Sequence, residues 1–552
     1  MKKAFVLICA LCLMNESAGI AQEVVGWRTD GTGRYPSANP PTEWSHTKDE
    51  KKNIIWATEM PSWSNSTPVI VGDKIFVGSD KTDLVCVDRK TGAILWRKSN
   101  TYFDPMTPDE LKKAKEIQKR AEEVRAAIRA VHNVLRPLET QLNRIRKLTK
   151  KIKDFEKKLS ELKAEALAGK IEGLKKQADD VAKKLGAAPN DGKLKKQADQ
   201  LAAQLKELQN EGAVKKKSEN LSKQLDLAKE QLAEAGETNA LKKRVDELKR
   251  IKNHLRNTEL KALTTYDLPN TENTNGYSTC TPVSDGKNVY ALFGNGMAAC
   301  YDPDGNRKWL KFIEKPTQGY GHSASPVIVG DRFIIQIRGL VALDTNTGEQ
   351  VWESREAPTR WGTPVVTKIG DDDVLITPNG DIVRASDGKL LAKKLSKLDY
   401  CAPIVHDGVA YFIQKGGKAI KLPDEVTDDM KFEALWTAAK IQGDRYYASP
   451  VCRDGLIYAI NQRGHLSVID TKTGELVYDK KLKLGATVYS SVTCAGDFLL
   501  VSGEKGKTML LATGREYKEI ATNQLEDFRS CPVFVGDRMY IRTKKHLYCI
   551  GK

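Results

Sequence analysis

The stretch Ser66-Thr67-Pro68-Val69-Ile70-Val71-Gly72-Asp73-Lys74-Ile75-Phe76-Val77, completed by Leu84-Val85-Cys86-Val87-Asp88-Arg89-Lys90-Thr91-Gly92-Ala93-Ile94-Leu95-Trp96, decides the fold of this 552-residue chain. Val-Ile-Val and Ile-Phe-Val are short apolar runs rich in β-branched residues, which reads as two buried strands. Gly72-Asp73 between them is a hairpin turn, and Asp88-x-x-Thr91-Gly92 is a tight turn whose glycine can take a positive φ. Trp96 then falls on an outermost strand, where it is expected to pack between neighbouring units.

The block returns. Ser325-Pro326-Val327-Ile328-Val329-Gly330-Asp331 leads to Asp344-Thr345-Asn346-Thr347-Gly348 and Trp352, and Ser449-Pro450-Val451 leads to Asp470-Thr471-Lys472-Thr473-Gly474 and Tyr478. Weaker copies begin at Thr281-Pro282, Thr363-Pro364, Ala402-Pro403, Ser491-Val492 and Cys531-Pro532. A spacing of about 40 residues is the length of a four-stranded blade, so the pattern predicts a mainly β chain, a β-propeller of about eight blades. The last copy stops at Leu547-Tyr548-Cys549-Ile550-Gly551-Lys552, before an outer strand can form, whereas Asn53-Ile54-Ile55-Trp56-Ala57-Thr58 has no inner strands before it. The ring is therefore expected to close by pairing N- and C-terminal strands, which removes exposed edges.

The Ala/Val-x-Asp-x-x-Thr-Gly-x-x-x-Trp pattern resembles the pyrroloquinoline-quinone-like (BamB-like) β-propeller repeat over residues 53–104 and 266–552. The lead-in Trp27-Arg28-Thr29-Asp30-Gly31-Thr32-Gly33-Arg34-Tyr35-Pro36 resembles one that precedes such repeats in large bacterial secreted proteins. That family holds both quinone-dependent dehydrogenases and non-enzymatic scaffolds. A dehydrogenase of this kind implies a carboxylate and amide cluster for calcium, a catalytic aspartate and usually a disulfide between adjacent cysteines. Here no two cysteines are adjacent, and most aspartates sit in blade turns, where the turn itself accounts for them. The seven histidines show no HExxH or His-x3-His spacing, so no metal site and no catalytic residue is predicted. The expectation is a non-enzymatic envelope scaffold or binding protein without a cofactor. The alternative is a quinone-dependent oxidoreductase with an atypical site, and only there would pyrroloquinoline quinone with calcium be implied.

The repeat is interrupted. From Pro105 to Thr265, Ile145, Leu148, Ile152, Phe155, Leu159 and Leu162 recur at steps of three and four, as do Leu241, Val245, Leu248, Ile251 and Leu255, which predicts an inserted α-helical coiled-coil hairpin. Gly186-Ala187-Ala188-Pro189-Asn190-Asp191-Gly192 supplies its tip, and Pro137, Gly169, Gly173, Gly212 and Gly236 are expected to kink or segment its arms. This segment carries 39 Lys+Arg against 25 Asp+Glu, so 14 of the 17 net positive charges belong to it. Phe155 is its one aromatic residue, too few for stacking on bases, so no nucleic-acid partner is expected. A protein partner or an anionic envelope polymer fits better.

Lys2 and Lys3, the apolar run Ala4 to Met14 and the small residues up to Ala21 read as a cleavable signal peptide. Export to the periplasm or envelope follows, with no lipobox and no transmembrane segment expected. The domain order is then 1–21 signal peptide, 22–52 lead-in, 53–104 closing strand and first blade, 105–265 insertion, and 266–552 the remaining blades. The eight cysteines beyond the signal recur at matching points of the repeats, where small buried residues suffice.

The residues just before each inner strand should face the mouth of the central channel. There the sequence places Trp63, Tyr277, Tyr320 with His322, Arg360 with Trp361, Tyr400, Arg445 with Tyr446 and Tyr447, Tyr489, and Phe528 with Arg529. Of these, Trp63, Tyr277, His322, Arg360, Trp361, Arg445, Tyr446 and Arg529 are the candidate ligand- or partner-binding residues, since aromatic and Arg side chains favour binding hot spots. The arginines point to an acidic group on whatever binds. The same aromatics would serve equally as wedges between blades.

Overall fold

The computed structural model describes residues 25–47, 50–165, 168–208, 211–235, 238–271, 274–358, 360–437 and 441–552. The signal-peptide expectation for 1–21 lies outside the described residues. The chain divides into two compact units, a β unit reaching Leu111 and resuming at Leu268, and a helical unit, Lys112–Asp267.

Each repeat folds as an antiparallel four-stranded meander, as short alternating runs joined by Gly-containing turns should. The quoted block gives Val69–Val71, Lys74–Ser79, Asp83–Asp88 and Ile94–Ser99. Sheets of the same form begin at Val283–Ser284, Val327–Val329, Val365–Ile369, Ile404–His406, Val451–Arg453, Thr493–Ala495 and Val533–Val535. The fold is mainly β, a β-propeller. Its last sheet is completed by Ile54–Glu59, which pairs antiparallel with His546–Ile550 and sets Trp56 opposite Cys549, so the two ends of the repeat close the ring. The middle strands carry the core: Phe76, Val77, Leu84, Val85 and Val87 are fully buried, while outer strands such as Ile94–Ser99 stay largely exposed. All eight cysteines beyond the signal are buried and free.

The Thr-Gly turn and the trailing Trp belong to one device. Trp436, on the outer strand of one sheet, lies over Gly474 in the turn of the next, and its indole N–H donates to the Thr471 carbonyl at 2.8 Å. Gly474 has φ +72°, and a Cβ there would lie 2.5 Å from the indole, so glycine serves both the backbone and the docking. The arrangement repeats with Trp56 on Gly92, Trp96 on Gly305, Trp309 on Gly348 and Trp352 on Gly388. Each indole donates to a carbonyl of the turn it covers, at 2.9–3.3 Å for these four. The Trp96–Pro303 bond joins the two sheets that flank the insertion in sequence.

The lead-in is part of the β unit. Val25 bridges to Ser284, and Arg34–Tyr35 runs parallel to the inner strand Thr493–Ala495. In the helical unit, Pro108–Glu165 is one helix of 58 residues that continues through Pro137, so that proline does not end it. Leu135 and Leu142 of this helix pack on Val245 and Leu248, and Ile152 packs on Leu225 and Ala228. The tip falls between Ala168–Ala187 and Gly192–Leu208, while Ile251, read as a seam residue, is 41% exposed. No helix among the described residues is long and apolar enough to cross a membrane.

Candidate functional site

In seven of the repeats the residue two positions before the inner strand is followed by proline, which forces it into extended backbone and fixes the approach of the repeat to the axis. The residues in this position are Thr67, Thr281, Ser325, Thr363, Ala402, Ser449, Ser491 and Cys531, the last-but-one preceding Val492 rather than proline. They are linked in a ring. The backbone N–H of Thr67 donates to the Thr281 hydroxyl at 3.2 Å, Thr281 to Ser325 at 3.0 Å and Ser325 to Thr363 at 3.0 Å. Ala402 donates to Ser449 at 2.9 Å, Ser449 to Ser491 at 3.0 Å, and Cys531 back to Thr67 at 3.1 Å. The chain of bonds breaks only where Ala402 and Cys531 present no hydroxyl.

Extended backbone alternates its side chains, so the residues two before each ring position face the axis and those three before face away. The axis-facing set is Asn65, Thr279, Ser323, Trp361, Tyr400, Tyr447, Tyr489 and Arg529. All eight line one cavity of about 390 Å³, with the hydroxyl ring as its floor and Trp27, Tyr320 and Arg445 also in its wall. The wall is uneven. Four consecutive repeats contribute aromatics, and three contribute an amide or a hydroxyl.

The aromatic side is continuous: Tyr320–Trp361, Trp361–Tyr400, Tyr400–Tyr447 and Tyr447–Tyr489 have centroids 6.5, 5.4, 4.9 and 4.7 Å apart. Arg529 lies over the Tyr489 ring at 3.9 Å, pairs with Glu504 at 2.9 Å and donates to the Thr274 carbonyl. Burial pushes the Tyr489 phenol up, against the Arg529 charge that lowers it. Arg445 donates to the Tyr447 hydroxyl at 3.2 Å, which holds its guanidinium above the ordinary range.

Of the eight candidate binding residues, Trp361, Arg445 and Arg529 line the cavity and five do not, whereas Tyr320, Tyr400, Tyr447 and Tyr489, also expected at the mouth, all line it. His322 and Tyr446 occupy the away-facing position, each 1% exposed. Burial brings the His322 ring down to about 4, and the Tyr446 hydroxyl donates to the Gln442 carbonyl at 2.7 Å. Arg360 holds that same position and donates to the Asn379 side chain at 3.3 Å. Trp63 packs on Gly276, and the Tyr277 hydroxyl donates to the Pro269 carbonyl at 2.8 Å. The reading missed Asn65, Thr279, Ser323, Trp27 and the hydroxyl floor. Counting back two from each Ser/Thr-Pro would have found the first three.

Next to Trp27, Arg28 is 1% exposed, with its guanidinium over the Trp27 ring at 5.3 Å. One of its amino groups, Nη2, donates to the carbonyls of Pro450 at 2.9 Å and Val492 at 2.8 Å, whereas Nε and Nη1 have no acceptor. Burial lowers its pKa, and a Cβ on Gly33 would collide with the guanidinium.

A family model described as outer membrane protein assembly factor BamB matches residues 46–107 and 337–552, half of the chain. The chain belongs to this family. Curated BamB proteins resemble it over part of their length: that of Burkholderia pseudomallei is 28% identical over 27% of this chain and 39% of its own, and that of Yersinia pestis 25% identical over 41% and 61%. The chain thus spans less than two thirds of either BamB relative. Among solved structures, BamB from Moraxella catarrhalis aligns with 13% identity and a TM-score of 0.40, over 48% of this chain and 82% of that one.

The quinone-dependent members of the wider repeat family imply calcium, and the residues present do not fit it. Among the described residues no Asp or Glu lines the cavity, and no group of three or more His, Cys, Asp or Glu could hold a metal. Calcium takes six to eight oxygen ligands, carboxylates foremost.

Proposed function

We propose that this BamB-family chain is a non-enzymatic binding scaffold of the cell envelope that takes a protein partner at the mouth of its propeller. One observation carries the reading: side chains from eight separate repeats converge on a single concavity, with Trp361, four tyrosines and two arginines in its wall. Convergence of this kind makes a pocket, and Trp, Tyr and Arg are the residues through which interfaces gain most of their affinity. The family description, an outer membrane assembly factor, supports the envelope setting, as does the signal-like start of the chain. The basic helical unit would act as a second, reaching surface for anionic polymer or protein.

The test is retention of partners from an envelope extract on the immobilised chain, compared with Trp361→Ala, Arg445→Ala and a version in which Lys112–Asp267 is replaced by a Gly/Ser linker. A protein held by the wild type should be bound at least tenfold more weakly by either mouth variant, since a hot-spot truncation costs about 2 kcal/mol or more. Undiminished retention by both mouth variants, with loss on removing the helices, would move the binding surface to the helical unit.

A further inference from the structure

We propose that the mouth cavity is a receptor for an oxyanion, a carboxylate, phosphate or sulfate group seated on the ring of hydroxyls around the axis. The inference names the chemistry of the ligand and rests on the reading above only for the mouth being the place where a partner docks.

The floor points to it first. A hydroxyl offers one donor and two lone pairs. In Thr67, Thr281, Ser325, Thr363, Ser449 and Ser491 one lone pair is already taken by the backbone N–H of the neighbouring repeat. The proton of each is then left to turn toward the cavity, so the floor is a circle of donors. A group rich in acceptors and bearing none of its own donors suits it.

The charge distribution points the same way. The lining contains two guanidinium groups and no carboxylate. Arg529 is already met by Glu504, which leaves Arg445 as the charge available to a ligand. Arg28 binds the carbonyls of Pro450 and Val492, the residues directly after Ser449 and Ser491 of the ring. Its Nε and Nη1 are buried without an acceptor among the described residues, and the Asp30 carboxylate acts on it without a hydrogen bond to it. A buried cation so poorly compensated is costly, and a negative charge held in the cavity would relieve part of that cost.

The aromatic arc sharpens the choice. Tyr447 and Tyr489 are stacked face to face at 8°, and Arg529 covers the other side of Tyr489, so both faces of Tyr489 are spent. What that ring leaves over is its edge, the positive side of the ring quadrupole, and its hydroxyl. An anion is suited to such an edge.

The experiment is calorimetric titration of the full chain with sodium acetate, sulfate and inorganic phosphate at fixed ionic strength, and with a short glutamate peptide beside its glutamine counterpart. The expected result is saturable binding of at least one of the three anions at one site per chain, weakened at least tenfold in Arg445→Gln and in Ser491→Ala. Ser491→Ala also removes the acceptor for the Ser449 amide and could disturb the ring, so the exposed Arg445→Gln carries the test if that variant fails to fold. A glutamate peptide binding more tightly than acetate, with the glutamine peptide silent, marks the acid as one borne by a polypeptide. Equal or weaker binding marks a free small acid. No saturable binding of any of the anions, or binding unchanged in Arg445→Gln, overturns the proposal. Loss of the envelope partner in the mouth variants without any oxyanion binding would sink this inference alone, and oxyanion binding with partner retention independent of the mouth would sink only the scaffold reading.

Discussion

The β unit and the helical unit solve the same problem with opposite means. In the β unit five sheets are each latched to the next by a tryptophan on a glycine, the middle strands are buried along most of their length, and the interior holds polar and charged side chains such as His322, Arg28 and Asp381. In the helical unit the core is a seam one or two residues wide, Leu135, Leu142, Val245 and Leu248 in one cluster and Ile152, Leu225 and Ala228 in another. Among its described residues it buries no polar or charged side chain. A closed ring surrounds its interior on all sides and can therefore enclose polar groups there, whereas a pair of helices has only a stripe to hide. The β unit should thus lose more than the helical unit when a core side chain is truncated, and it should respond more strongly to pH.

That contrast can be tested with two separate signals, because all nine tryptophans lie outside Lys112–Asp267 while the helices dominate circular dichroism at 222 nm. The largest effect is expected from Trp436→Ala, which empties a latch and leaves the Thr471 carbonyl without its donor. It should cost about 3–5 kcal/mol in denaturant unfolding followed by tryptophan fluorescence. A loss under 1 kcal/mol would mean that the latches are not what joins the sheets.

Next comes acid. His322 keeps a folded pKa of about 4, below its ordinary 6.5, because burial disfavours the charged ring. Between those values the unfolded chain takes up a proton that the folded chain does not. The stability due to the neutral ring is present above pH 6.5 and is lost as pH falls toward 4, by about 3 kcal/mol in all. Fluorescence-monitored unfolding should weaken over that window and lose part of its slope in His322→Gln, and an equal slope in both proteins would remove His322 as the cause. The 222 nm transition should be far less affected.

The smallest effect is reserved for the seam. Leu142→Ala should cost about 2 kcal/mol, the low end for such a truncation because the site is open to water nearby. The loss is expected in the 222 nm transition, leaving the fluorescence transition where it was. Movement of both together would show that the two units unfold as one.

How much of this was legible depends on how far apart the interacting residues lie in the chain. The repeats, the closing strand around Trp56 and the outer-strand tryptophans all follow from a pattern that recurs every few tens of residues, and a local motif carries its own turn chemistry and periodicity wherever it occurs. The seam of the helical unit was readable for the same reason, although Ile251 shows that periodicity does not say where packing ends. The site was legible only in part. Trp361 and Arg529 fall two residues before the ring position and face the axis, but His322, Arg360 and Tyr446 fall three before it, and a slip of one residue in an extended chain turns a side chain to the other side.

The sequence by itself determined that this chain is a ring of similar sheets interrupted by helices, since both are written as short-range periodicities. Only the tertiary structure decided which side chains meet in the mouth, Trp27 of the lead-in among them. The Cys531 amide reaches the Thr67 hydroxyl across 464 residues, and Arg28 reaches the carbonyl of Val492 across the same separation. Contacts of that range exist only once the ring has closed, because closure is what brings the start of every repeat to one axis.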